Sequence, residues 1–365
     1  MDSVTQFVLG AAVSAVFLGP KIGPRKAVIL GGLLGTVPDL DTFLPATDPV
    51  EAFVSHRGAT HSLLMQVIVT PLFAEPLVRL FSALRDPRIK TYLAVYLIFA
   101  THALVDAMTV YGTQLLWPFG VEPVGVGSIF IIDPIYTLPL LALTVWALFK
   151  GQWTPRFGTW LRRALVVSSA YMLMTIPVQQ IMKDRGAKIF ADRGIMPERI
   201  LAIPTPFNIA YWKVLAIDGG RYITLYLPVF GNDEETTAYV YSRRMDLIGC
   251  LADDLVYQKL AAFSDGFYTL SEADGRVVMS DLRMGLTPSY VFRFEIADVT
   301  SDGAKPLTLS VRLPTIRGLV GDLEWLQAGL LQSPTTRPAE AAAQIALGDL
   351  RPSETRLASA SCTVG

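Results

Sequence analysis

Residues 92–108 read YLAVYLIFATHALVDAM, an apolar run that nonetheless carries His102 and Asp106 near its end. A bilayer's hydrocarbon core takes roughly 20 apolar residues to cross as a helix. An ionisable side chain near the middle of such a helix costs at least ~2.5 kcal/mol unless it is paired or hydrated. The two groups stand four residues apart and so share one helical face. The stretch predicts a membrane-spanning helix with a functional polar site at one end.

The rest of the chain has the same character. Of 365 residues 52% are hydrophobic and 17% charged, and mean hydropathy is positive, which is too apolar for an ordinary soluble globule. Apolar runs near 4–19, 27–44, 62–81, 91–110, 129–149 and 164–182 give about six candidate spans. The second is the least regular, because AVILGGLLGTVP is glycine-rich and stops at Pro38, which suits a short or tilted helix. A cleaved signal peptide needs a basic leader, and no Lys or Arg precedes Lys21, so the first run is expected to be retained.

Basic residues gather in alternate loops: Lys21, Arg25 and Lys26, then Arg85, Arg88 and Lys90, then Lys150, Arg156, Arg162 and Arg163. Arg57 is the only base in the second and fourth loops. The positive-inside rule then puts the amino terminus and the region after the last span outside, although Lys183, Arg185 and Lys188 run against that assignment. The lipid bilayer is the expected partner. A formal net charge of -1 gives no reason to expect nucleic acid, and Cys250 and Cys362 have no metal-ligand spacing.

All three histidines fall in the outer layer. GTVPDLD (35–41) closes the second run with Asp39 and Asp41, and SHRGATHS (55–62) opens the third with His56 and His61. Each piece has a plain reading. An Asp after Pro is commonly a turn or cap residue, a histidine pair at a helix start is often only hydrogen-bonded, and Arg57 suits an interfacial anchor. Taken together the set fits a metal better, with zinc first and manganese or iron as alternatives, and the lack of cysteine argues against a thiolate-rich structural site. His61 at the start of a helix is held neutral by the positive dipole end. Gly58 gives the backbone freedom to bring His56 back, and Thr60 or Ser62 would cap the helix or orient a ligand. Asp106 is either a ligand or the partner of the second nitrogen of His102.

The ordered set DSVTQ, GTVPDLD, HRGATHS, THALVDAMT and GTQLLWPF resembles the YdjM-like family of bacterial inner-membrane metal-dependent hydrolases over roughly residues 1–180. The resemblance implies a multi-pass inner-membrane protein with a divalent metal and candidate ligands Asp39, Asp41, His56, His61, His102 and Asp106. Where many members have histidine in the amino-terminal motif this chain has Gln6, a poorer zinc ligand.

The expected chemistry is metal-assisted hydrolysis, in which a bound water of lowered pKa gives its proton to Asp39 or Asp41 while Arg57 steadies the developing negative charge. A site at the outer rim suits a phosphoester or a lipid-like substrate. Two other classes compete. A transporter would use the same His and Asp residues along the membrane depth, and a non-catalytic scaffold would close the metal with four protein ligands.

From about residue 210 the text changes to short strand-like runs such as YITLYLPVF, TTAYVYS and SYVFRFEIADV, with a hairpin turn expected at Asp274-Gly275 and a helix near 251–266. The expected architecture is a mainly α membrane protein of about six transmembrane helices (1–182), a small extramembrane α+β domain with an antiparallel sheet on the periplasmic side (183–332), and a low-complexity disordered tail (333–365).

Overall fold

The computed structural model describes residues 1–353, except 121, 234, 235, 249, 250, 301, 302, 316, 317, 319, 332 and 334. Both cysteines lie outside the described residues. The chain forms two units, one of Met1–Leu44, His56–Val178 and Pro206–Asn208, the other of Pro45–Ser55, Gln179–Thr205 and Ile209–Gly365.

In the first unit α1 (Ser3–Ile22) starts at Asp2, whose side chain accepts from the backbone N–H groups of Val4 and Thr5 at 3.0 and 3.1 Å. Gly23, at φ 84°, turns the chain directly into α2 (Pro24–Thr36), with Pro24 at its first turn. The two helices cross through a seam of small residues. A Cβ on Gly10 would lie 2.3 Å from the Gly31 carbonyl oxygen, and one on Gly35 would lie 2.6 Å from that of Gln6. Only glycine permits this approach, the device by which helices pack in membranes without a hydrophobic driving force.

α2 ends after 13 residues, about 20 Å of rise, short of a core about 30 Å thick. A 3-10 helix, Pro38–Phe43, continues from it and carries Asp39 and Asp41. The short α3 (Pro49–Ser55) belongs to the second unit. After a one-turn 3-10 helix at Ala59–His61 come α4 (Leu63–Leu80), capped by Ser62, and α5 (Arg88–Ala107). Then follow α6 (Pro134–Phe149), capped by Asp133, and α7 (Pro155–Ala191). Among the described residues four helices, α1, α4, α5 and α7, are long and apolar enough to span, in place of the six expected. The runs at 27–44 and 129–149 became the shorter helices α2 and α6. The first gives way to a 3-10 helix at Pro38, and the second begins only after the Asp133 cap.

The second unit is built on antiparallel sheets. β1 (Arg199–Pro204), β2 (Tyr211–Asp218), β3 (Arg221–Pro228) and β4 (Thr237–Ser242) form a meander. Helix α8 (Leu255–Phe263) leads to β5 (Tyr268–Ala273) and β6 (Arg276–Asp281), joined through Asp274 and Gly275 at φ 51° and 73°, as an I′ turn demands. A two-residue hairpin, β7 (Gly285–Leu286) with β8 (Ser289–Tyr290), precedes β9 (Arg293–Thr300) and β10 (Gly303–Arg312), and the second sheet runs β10-β9-β6-β5. After α9 (Asp322–Leu330), β11 (Gln344–Ala346) joins the first sheet beside β4.

The tail expected to be disordered is folded over 335–353. Glu340, buried, accepts hydrogen bonds from Tyr226, Tyr241 and Arg337 at 2.7, 2.8 and 3.2 Å, and Arg337 also pairs with Asp322 of α9 at 2.7 Å. Low-complexity composition concealed this anchor, because two buried, fully partnered charges do what an apolar face would otherwise do. Residues 354–365 lie outside the described residues.

Lys213 is another buried charge of this unit. Its Nζ donates to the carbonyls of Leu282 and Gly285 at 2.8 and 3.1 Å, and burial pushes its pKa from 10.5 down to about 8. A lysine with a depressed folded pKa binds fewer protons folded than unfolded between those values, so stability rises with pH there. We expect the thermal midpoint of the second unit, measured in the full chain in detergent, to climb between pH 8 and 9.5 and to lose that climb in Lys213→Met.

Candidate metal centre

The site begins with α5, where His102 and Asp106, one turn apart, are both buried. His61 comes to them from the 3-10 turn before α4, also buried, and Asp39 from the 3-10 helix after α2, its side chain 24% exposed. These four residues offer one ligand atom each, all within 4.8 Å of one another.

Hydrogen bonds fix which nitrogen each histidine presents. The Nδ1 of His102 lies 2.6 Å from the Gly35 carbonyl oxygen, which can only accept, so Nδ1 carries the proton and Nε2 a lone pair. Thr60 donates its hydroxyl proton to Asp41 Oδ2 at 2.6 Å and therefore accepts from His61 Nδ1 at 2.9 Å. His61 too turns a bare Nε2 inward. The two lone pairs face each other at 3.0 Å. Asp39 Oδ1 stands 3.4 Å from both nitrogens, and Asp106 Oδ2 stands 3.3 Å from His61 and 3.6 Å from His102.

Four electron-rich atoms so placed repel one another unless a positive centre lies among them. For donors about 2.0 Å from a tetrahedral divalent cation, the donor-to-donor edge is about 3.3 Å. The five separations of 3.0 to 3.6 Å fall about that edge. Asp106 Oδ2 has the Arg57 Nε at 3.1 Å but receives no hydrogen bond of good geometry among the described residues, which leaves it a lone pair for a cation. The residues fit a metal ion.

The electrostatics agree. Burial works against the charged form of Asp39, but the His102 and His61 imidazoles beside it, when they carry a proton in place of a cation, outweigh it and hold the carboxyl below its usual range. Burial likewise pulls the His61 imidazole down, and Asp106 and Asp39 more than reverse this. The two carboxylates thus override the helix-dipole effect expected to keep His61 neutral, and a field that favours positive charge on imidazole is one that favours a cation.

The other candidate residues stand around these four. His56 and Asp41 pair with each other, Nδ1 to Oδ1 at 2.8 Å, and the Asp41 Oδ2 that takes the Thr60 proton also accepts from the Arg57 N–H at 3.3 Å. Burial raises the Asp41 carboxyl and these donors, His56 first, bring it below its usual value. Arg57, buried, turns its Nε to Asp106 Oδ2 at 3.1 Å, donates from Nη1 to Thr109 at 3.0 Å, and lies over the Tyr111 ring at 4.8 Å. Its backbone is left-handed, φ 64°, so the reversal falls on Arg57 as well as on Gly58. Gln6 donates to Asp106 Oδ1 at 2.9 Å, and the Met1 amino group lies against the same carboxylate. Gly35, Thr109 and Tyr111 were not singled out from the sequence. A backbone carbonyl leaves no mark there, whereas Thr109 and Tyr111 lie just beyond Asp106 in THALVDAMTVY, where proximity to that carboxylate was the available signal.

No solved structure matches the chain. The chain is 31% identical over 221 residues to the uncharacterized protein YfhP of Bacillus subtilis (strain 168), a match covering 59% of this chain and 64% of that protein. It thus spans less than two thirds of the relative's length. The profile of the YdjM inner membrane protein matches residues 1–184, which takes in α1 through most of α7 and every residue of the His/Asp cluster. The chain belongs to the YdjM inner membrane protein family.

Proposed function

We propose that this protein is a membrane-embedded, divalent-metal-dependent hydrolase whose centre is held by Asp39, His61, His102 and Asp106, with zinc as the first choice and manganese or iron as alternatives. The observation that carries the reading is the pair of bare imidazole nitrogens facing each other at 3.0 Å between two carboxylates. A divalent cation held there supplies Lewis acidity and makes water acidic enough to act as a nucleophile near neutral pH.

The chain's own residues divide the remaining work. Asp39, the most exposed of the four, is the donor that can give way on the open side and take a proton. His56, fixed through Nδ1 by the Asp41 carboxylate, keeps Nε2 bare and serves with Asp41 as a second proton acceptor beside the centre. Arg57 is a positioning residue, committed to Asp106, Thr109 and Tyr111. Two carboxylates balance a divalent cation and Arg57 leaves the centre positive, which suits an anionic substrate such as a phosphoester or a lipid head group. By the positive-inside rule the basic loops favour an outer, periplasmic location for the site and for the second unit.

Four protein donors also favour a second reading, a closed structural metal in a non-catalytic scaffold. Elemental analysis of detergent-purified protein, followed by assay of phosphomonoester, phosphodiester and phospholipid cleavage, separates the two. Stoichiometric metal with no cleavage of any of these would favour the scaffold.

His61→Ala and His102→Ala are each expected to lose the metal while remaining inserted in the membrane, and normal metal content in both would refute a shared centre. Arg57→Met, which leaves Asp106 buried without its guanidinium, is expected to cost about 3–5 kcal/mol in metal-free protein. Thermal unfolding measures this, and Arg57→Met combined with Asp106→Asn should recover part of the loss.

A further inference from the structure

We infer that the substrate of this centre is a bilayer lipid with an anionic phosphate head group, whose chains lie along an apolar rim that begins at Leu40 and Phe43, an inference that rests on the metal-dependent reading above. Every residue it uses lies in the first unit.

The rim starts on the 3-10 helix Pro38–Phe43. At three residues per turn, side chains i and i+3 fall in line, so such a helix has three edges. One carries Asp39 to the centre, and a second carries Asp41 to the Thr60 hydroxyl at 2.6 Å and to His56 at 2.8 Å. The third carries Leu40 and Phe43, which are 53% and 83% exposed. A single short helix thus offers a metal ligand on one edge and bare apolar surface on the next. Asp39 is also the most exposed of the four ligand residues, so the centre opens on the same turn that displays Leu40.

A second apolar edge leaves the site from the turn that Thr60 and His61 share. α4 follows at once, and its Leu64, Ile68 and Leu72, spaced four apart, are all exposed down one face of a helix long and apolar enough to span. The loop after α5 is bonded to the head of this helix. The Leu63 N–H donates to the Leu115 carbonyl at 3.0 Å and the Ser62 hydroxyl to the Trp117 carbonyl at 2.7 Å, and the side chains of Trp117 and Phe119 are exposed there. Tryptophan is the side chain that settles at the head-group level of a bilayer. The lipid-facing surface of α4 therefore continues up to the turn that bears His61.

The two halves of the site match the two halves of a lipid. A divalent cation with Arg57 behind it draws an anionic head group, and the apolar rim takes acyl chains that water would not. A soluble phosphoester would use only the first half and leave Leu40 and Phe43 without a purpose.

The test uses the full chain in dodecyl maltoside micelles, loaded with cobalt(II), whose visible bands change when a new ligand joins the ion. It is titrated with dodecylphosphonate and with ethylphosphonate, which share a head group and differ in chain. Partition into the micelle is the same for every variant, so the ratio of variant to wild type reports the rim alone. Leu40→Ser/Phe43→Ser should raise the half-saturating dodecylphosphonate concentration about tenfold or more and leave that of ethylphosphonate unchanged. Leu40→Val/Phe43→Leu, which keeps the rim apolar, should stay near wild type. Both positions are exposed, and cobalt uptake by each variant checks that the centre is intact. An unchanged response to dodecylphosphonate in the serine variant, or an equal loss for both probes, would overturn the lipid substrate and leave an open metal centre standing. Bound cobalt that responds to neither probe would overturn the hydrolase along with the lipid, and a wild type that takes up no cobalt would overturn the metal centre itself.

Discussion

Asp106 is a fully buried carboxylate at the end of an apolar helix, and the first unit is organised around keeping it charged. An uncompensated ion in such a place costs several kcal/mol, so every element that approaches it brings a positive or hydrogen-donating group. α1 supplies Gln6, and the turn before α4 supplies Arg57. His102, on the same face as Asp106, reaches α2 through the Gly35 carbonyl. One desolvated charge thus ties four chain segments together, and the same convergence brings the nitrogen and oxygen donors to metal-ligand spacing.

The glycine seam of α1 and α2 works with this constraint. Because Gly10, Gly31 and Gly35 let the backbones touch, α2 is held close enough for a main-chain carbonyl to orient an imidazole on α5. Its early end then turns Asp39 toward the cluster. A longer, more regular second helix would bury more apolar surface but would carry that carboxylate past the site.

Much of this was legible in the sequence. Ionisable groups in or beside apolar runs are expensive and therefore conspicuous, which is why His102, Asp106, His61 and Asp39 stand out in the sequence. The hairpin at Asp274-Gly275 was legible because its turn needs two positive φ angles. The division of labour among the six candidate residues was not, since it depends on a threonine hydroxyl and a glycine carbonyl that composition does not mark. Nor was the shortening of two spans, which follows from packing rather than hydropathy. The ordered tail was missed for a related reason. Arg337 and Glu340 look like solvent-seeking charges until Tyr226, Tyr241 and Asp322 are seen around them.

The pairing of β11 with β4 also bears on biogenesis. During synthesis from the amino terminus, β4 is complete long before its outer neighbour, which follows only after α8, both hairpins, β9, β10 and α9 have been made. Without that neighbour the ladder groups of Thr237, Ala238 and Tyr239 would stand at an open sheet edge, the kind of surface that recruits stray strands. The edge is covered only once Gln344–Ala346 pairs with β4, so a late-made stretch of the chain closes a sheet whose other strands precede it.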